Sequence, residues 1–356
     1  MNQRHTLLIL LLLITTLTAS VTLAQQPPTP LDPHSVDRTV SDHLKVDHVI
    51  VAPEDITYAD DWAFGLAVIP APTDDHGEPW LVLFLARYSD GEWVTVLEND
   101  ATFTDWLAMA PVGVFPAGAG THLLAHRQAI GNARGNGSSL LSLPFASGQT
   151  WTLTGGPHDC CGSDTTNAGA IDLADGLTDG KIRAAREGVV WRAASCPNFI
   201  RIDHSDGWQT GYYHVINEQV SNGQAVARGQ YIAAQGNGIG CGGSSTGPHL
   251  HFSLRYNGVP YSMHNHDIGG WTVLAGEAEY QGCMRRIRDG LLQCARGPIY
   301  NDGAIGSGDG TPLAPQNTDL MTNGDFSGGF VGWDTAFSTS TAVNGGILNW
   351  HGASGE

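Results

Sequence analysis

From Thr246 the chain reads Thr-Gly-Pro-His-Leu-His-Phe-Ser-Leu-Arg, and its alternation is strict. Successive side chains of a β-strand leave opposite faces. Here His249 and His251 share one face, and Leu250, Phe252 and Leu254 share the other. Three large apolar residues in a stripe must be buried, so the segment is a strand with a core behind it and two imidazoles side by side in front. Pro248 at the entry and the Gly-rich stretch 236–247 leave the polar face approachable. A lone histidine is usually structural, whereas two at this spacing opposite an apolar stripe mark a candidate site.

Three other segments carry polar residues of the same kind. In Ala170-Ile-Asp-Leu-Ala174, Ile171 and Leu173 point inward and Asp172 points to the other face among small alanines; the plain alternative is a solvated Asp on an edge strand. Thr210 to Val215 reads as a strand with His214 at its end, for which the plain alternative is a partly buried histidine bonded to a backbone carbonyl. Gly155-Gly-Pro-His158 places a further histidine after a tight turn. No HExxH is present, so a helix that carries two metal-ligand histidines and a glutamate base is missing. His122-Leu-Leu-Ala-His126 has the i, i+4 spacing but no Glu and reads as a solvated or packed pair on a helix. His264-Asn-His266-Asp267 reads as loop.

The surrounding sequence is strand-like. Residues 1–24 read as an export signal, with Arg4, the apolar run Leu7 to Ile14, and Thr22-Leu23-Ala24 for cleavage; the run is too short for a membrane span. The mature protein is therefore expected outside the cytoplasm and not integral to a membrane. Residues 25–35 are Pro-rich and read as a linker. Residues 36–127 form a first unit of α+β type, with apolar runs at Phe64–Ile69, Leu81–Ala86 and Trp93–Leu97, turns at Asp74–Gly77 and Ser89–Gly91, and a helix near Phe103–Ala110. No chemical motif stands out in it; its position alone suggests a propeptide. A linker over 128–139 leads to a second unit, 140–300, in which Ile182–Trp191 and Val220–Ala233 are alike in construction. Apolar residues flank a Gly-marked turn in each, as in a compact, barrel-sandwich-like all-β domain closed by hairpins. A second linker, 301–317, precedes a short segment, 318–356. The fold class expected is mainly β.

Charge and cysteines narrow the partners and the compartment. With 17 basic against 35 acidic residues, the surface repels phosphates and excludes nucleic acid as a natural partner. Six cysteines in an exported chain suggest disulfides rather than a cysteine zinc site, since no CxxC occurs. Cys283 and Cys294 flank the turn signal Asp289-Gly290, which favours a local bridge across a hairpin. The other four allow three pairings, of which the adjacent Cys160–Cys161 pairing is disfavoured geometrically.

Taken in order, GGPH (His158), AIDLA (Asp172), YYHV (His214) and STGPHLHF (His249, His251) resemble the lysostaphin-type, or LytM-like, zinc endopeptidases. The long gap between His158 and Asp172 looks more like the beta-lytic subgroup. The resemblance covers roughly 140–300. It implies that His158, Asp172 and His251 hold one Zn2+ per chain, with the fourth position left for water. It further implies that His249 and His214 stand beside the metal, one as base and the other as oxyanion stabiliser, with His249 favoured as the base though the sequence does not separate the two roles, and that the substrate is the peptide part of peptidoglycan. Some relatives are non-catalytic wall-binding or amidase-activating modules, typically lacking part of the metal set; all five residues are present here. Leu320–Phe326 with Gly332-Trp333 resembles the opening strand of a carbohydrate-binding β-sandwich, which implies glycan contact by the C-terminal segment.

Overall fold

The computed structural model describes residues 29–72, 77–116, 118–132, 140–160 and 168–306, and the backbone of 341–344 and 347–350. It is mainly β, as expected. The first unit opens with helix α1, Pro33–Leu44. Asp32 caps it, accepting from the His34 N–H at 3.1 Å, and Pro33 occupies the first turn, where no amide is needed. The helix therefore begins inside the stretch expected to be a linker: the Asp-Pro start signal overrides the proline-rich composition. Strands β1 (Ile56–Ala59), β2 (Trp62–Ile69), β3 (Trp80–Ser89) and β4 (Glu92–Leu97) form an antiparallel meander in sequence order. The turn at Asp90-Gly91 has both residues at positive φ, as a two-residue hairpin requires. Helix α2, Phe103–Met109, falls where a helix was expected. Helix α3, Ala119–Asn132, runs past the expected boundary at 127 and buries Ala119, Leu123 and His126 at helical spacing.

The second unit is built on one large antiparallel sheet. In chain order its strands are β5 (Thr150–His158), β6 (Ala170–Ala174), β7 (Lys181–Arg183), β8 (Gly188–Trp191), β9 (Phe199–Asp203), β10 (Trp208–Tyr213), β11 (Ala225–Val226), β12 (Tyr231–Ala234) and β13 (Leu250–Tyr256). Then follow β14 (Val259–Pro260), β15 (Asp267–Ile268), β16 (Trp271–Leu274), β17 (Cys283–Arg286), β18 (Leu292–Cys294) and β19 (Pro298–Tyr300). The main sheet runs β11-β8-β9-β10-β13-β6-β5-β19, with β14 paired to β13. The two look-alike stretches pair with each other, β7 with β12 and β8 with β11. Strands β15 to β18 form a separate meander, in which Cys283 and Cys294 are register partners and are bridged, as expected. Cys196 is bridged to Cys241; the question of Cys160 with Cys161 lies outside the described residues. The domain extends beyond 300, because Asn301 and Ile305 are buried and Asn301 donates to Phe145 O at 2.6 Å. Strands β20 (Thr341–Asn344) and β21 (Ile347–Trp350) pair as a hairpin; the 320–333 motif lies outside the described residues.

The sheet has two covered faces. Ile171, Leu173, Val190, Ile200, Ile202, Tyr212, Leu250, Phe252 and Leu254 belong to the second unit's own core. The opposite face meets the first unit: Val189, Trp191, Phe199 and Tyr213 join one apolar cluster with Phe64, Trp80 and the β2–β3 residues. Arg201, wholly buried on this face, is held bidentately by Glu98 of the first unit (2.7 and 2.6 Å), by Asp203 (2.6 and 2.9 Å) and by Leu81 O (2.6 Å). Removing one member of a buried ion pair leaves an uncompensated charge. Glu98→Ala is expected to cost about 3 kcal/mol of stability, measured by chemical denaturation; a loss below about 1 kcal/mol would show that Asp203 alone suffices.

Candidate metal centre

The register of the sheet assembles the site. On β13 and β6, His251 and Asp172 are direct cross-strand partners, and β10 pairs Tyr213 with His251, so His214 follows immediately at the strand end. His158 arrives from β5, not after a tight turn as its Gly-Gly-Pro context suggested. That context instead makes two register shifts, between Leu153 and Gly155 and between Gly155 and His158, which bend the strand over Asp172. The glycines are required by close approach. A Cβ on Gly155 would lie 2.5 Å from Asp172 Oδ2, and one on Gly156 would lie 2.6 Å from Gly282 N.

His158 Nε2 and His251 Nδ1 are 3.2 Å apart, and Asp172 Oδ1 lies 3.3 Å from His251 Nδ1 and 3.6 Å from His158 Nε2. Donors placed tetrahedrally at 2.0–2.1 Å around a zinc ion would stand about 3.3 Å from one another. His158 Nδ1 donates to Gly156 O at 2.8 Å, which leaves the lone pair on Nε2. Asp172 Oδ1 is buried with no hydrogen-bond partner, an arrangement that suits a cation among the three atoms. Among the described residues, His158, Asp172 and His251 form a group able to hold a metal ion. Electrostatics agree. Burial pushes His158 down to about 4, so it is neutral near pH 7. Burial opposes the charge on Asp172, but the facing His158 and His251 imidazoles outweigh it and hold the carboxyl well below its usual range. Burial also opposes charge on His251, yet the hydrogen bond and the charge of the Asp172 carboxylate raise its pKa.

His249 and His214 complete the set. His249 Nδ1 donates to Gly247 O at 2.8 Å, and its Nε2 lies 3.6 Å from Asp172 Oδ1. His214, at φ 63°, donates from Nδ1 to Gly238 O at 2.8 Å, and burial pushes its pKa to about 3. The two rings lie 4.6 Å apart. Asp172, His214, His249 and His251 open onto a cavity of about 350 Å3, walled by Ser244–Pro248 on one side and Thr154 and Tyr280 on the other. His158 sits behind it, fully buried, with Tyr280 stacked on its ring at 4.1 Å.

The other tempting histidines stay apart. His122 is exposed while His126, one turn on, is buried. His266 packs against Trp208 and Tyr261, and His264 Nδ1 accepts from Ala275 N in a turn. Two neighbours were missed from the sequence. Tyr280 enters from the segment before β17. Glu78, from the first unit, lies with its carboxylate 3.9 Å from His251 Nε2. No local pattern marks either, since only tertiary packing brings them in.

Fold and site define a mainly β protein with a buried His2Asp cluster opening onto a cleft. The model of peptidase family M23 matches residues 167–263. Beta-lytic metalloendopeptidase of Lysobacter enzymogenes is 33% identical over 158 residues, which cover 42% of this chain and 87% of that protein. Protease LasA of Pseudomonas aeruginosa is 35% identical over 179 residues, 47% of this chain. The peptidoglycan DD-endopeptidase ShyA of Vibrio cholerae is 39% identical over 77 residues, which cover 21% of this chain and 17% of that protein. The chain belongs to peptidase family M23. It spans 42% of the length of LasA.

Gly155→Ala tests the close approach at Asp172. It is expected to weaken metal binding by about tenfold or more, the scale of a disturbed ligand support, with an unchanged circular dichroism spectrum. Undiminished metal binding would show that β5 can yield at this point.

Proposed function

We propose that the protein is an exported zinc endopeptidase that hydrolyses peptide bonds of bacterial peptidoglycan. The observation that carries this reading is the convergence of His158 Nε2, Asp172 Oδ1 and His251 Nδ1 within 3.2–3.6 Å of one another, beside a cleft and two further histidines. Two neutral imidazoles and one carboxylate suit zinc with one position left open. Bound there, zinc would supply Lewis acidity and lower the pKa of a water molecule. His158, Asp172 and His251 are the proposed ligands.

His249, with Nε2 beside Asp172, is the proposed base, and His214 the second proton-handling group. Both keep a proton on Nδ1 through a backbone carbonyl, so both present Nε2 as an acceptor. Burial keeps His214 neutral at rest; it can donate to an oxyanion through Nε2 only after it gains a proton. The complete set of five favours catalysis over a purely wall-binding module.

The peptidoglycan substrate rests on the family and on its relative ShyA, a peptidoglycan DD-endopeptidase. Export rests on residues 1–24, and among the described residues no helix is long and apolar enough to cross a membrane. The first unit is the proposed propeptide; an active form recovered from culture with residues 36–127 still attached would refute that. The segment after 318 is the proposed glycan contact.

The decisive experiment measures zinc per chain in the wild type and in His251→Ala. About one zinc per chain in the wild type, with a large loss in the variant, is expected. A folded, zinc-free wild type would remove the mechanism. His249→Ala is expected to keep its zinc and lose about 10²–10⁴-fold in kcat on purified cell walls, read as newly released amino groups. No release from any of several wall types, even by the wild type, would refute the substrate.

A further inference from the structure

The first unit reaches the proposed metal site from behind. Its segment before β3 follows the Cys241–Gly243 loop, with Ala71 N donating to Cys241 O at 3.0 Å and Gly243 N donating to Pro72 O at 3.1 Å. Glu78 N then donates to Cys160 O at 2.8 Å, which fixes the Glu78 backbone over the sheet. From there the side chain enters the sheet face and is fully buried. Its Oε2 accepts from Ser253 Oγ at 2.5 Å and faces His251 Nε2 at 3.9 Å, and its Oε1 lies 3.5 Å from Arg255 Nε. Arg255 in turn lies 3.6 Å over the Trp80 ring, two residues beyond Glu78.

The sheet is shaped to receive this carboxylate. Gly211 sits in the middle of β10, opposite Ser253, where glycine weakens a strand. A Cβ there would press on Ser253 Oγ and lie 2.7 Å from Glu78 Oε2. The missing side chain of the second unit is thus the space that the carboxylate of the first unit fills. The oxygen that accepts from Ser253 Oγ also faces the proposed metal-ligand imidazole of His251, whose Nε2 is buried with no hydrogen-bond partner.

We propose that Glu78 is the positioning residue of His251: its carboxylate favours the imidazole with the proton on Nε2, and so turns the Nδ1 lone pair toward the metal. The inference rests on the ligand assignment given above. At 3.9 Å the coupling is electrostatic rather than a formed hydrogen bond, and burial strengthens it. Outer carboxylates of this kind fix the tautomer and raise the basicity of ligating histidines. Proteolytic loss of residues 36–127 would take this carboxylate away with it.

The test compares zinc affinity in full-length wild type, Glu78→Gln and Asp55→Asn, by competition with a chromophoric chelator. Asp55 also joins the two units, accepting from Ala194 N at 2.5 Å and Ser195 N at 3.1 Å, but it makes no contact with the site. Glu78→Gln is expected to bind zinc about 10–100-fold more weakly, with an altered visible spectrum when loaded with cobalt. Asp55→Asn should stay within about twofold of wild type, since it loosens the docking without touching a ligand. Wild-type affinity in Glu78→Gln overturns the inference while the metal site stands. An equal loss in Asp55→Asn also overturns it, because the cause would then be docking. A wild type that binds no zinc overturns both the inference and the reading beneath it. If Glu78→Gln does not fold, Ser253→Ala, which removes the donor that orients the carboxylate, is expected to lose about three- to tenfold; unchanged affinity there is equally fatal.

Discussion

The pairing of β6 with β13 is the constraint on which the site depends. It puts Asp172 directly opposite His251, and the pleat sends both to one face while Ile171, Leu173, Leu250 and Phe252 go to the core on the other. A slip of one residue would exchange these faces, burying the carboxylate in the apolar layer and exposing the stripe. The placing of Asp172 against His251 and the burial of the core stripe are thus held by a single register. His158 is then brought in by a bulged strand that only two glycines allow to pass so close.

The second organising feature is charge buried between the two units. Arg201 is matched by Glu98 and Asp203, and Glu78 stands between Arg255, Ser253 and His251. Arg201 and Glu78 each meet a partner of opposite sign, as the cost of desolvation demands. Because the partners come from different units, docking is specific rather than merely apolar. The apolar part, Phe64 against Trp191 and Trp80 against Phe199, supplies contact area, and the ion pairs set the position. The unit that docks so firmly leaves the cleft clear among the described residues: the walls of the cavity come from the second unit alone.

Much of the site was legible in the chain. The alternation around His249 and His251 specified a strand and its faces, and the same logic placed Asp172 and His214. The bridge between Cys283 and Cys294 was legible because both flank one hairpin. The linker boundaries were less so. Asp32-Pro33 starts a helix in a proline-rich stretch, and Asn301 and Ile305 return to the core from a Gly- and Asp-rich one. In both places composition suggested flexibility, and specific capping or burial decided otherwise.

By itself, the sequence determined the periodicity, hence the strands, their buried faces and the identities of five polar residues in order, because side-chain alternation is a local property of the backbone. Tertiary structure decided what no local pattern can encode. It decided which strand lies next to which, how a bulge carries His158 across Asp172, and that Tyr280 stacks on His158. It also decided that Glu78, 175 residues before Ser253, fills the gap left by Gly211. These depend on contacts distant in sequence, and their signal exists only once the sheet has formed.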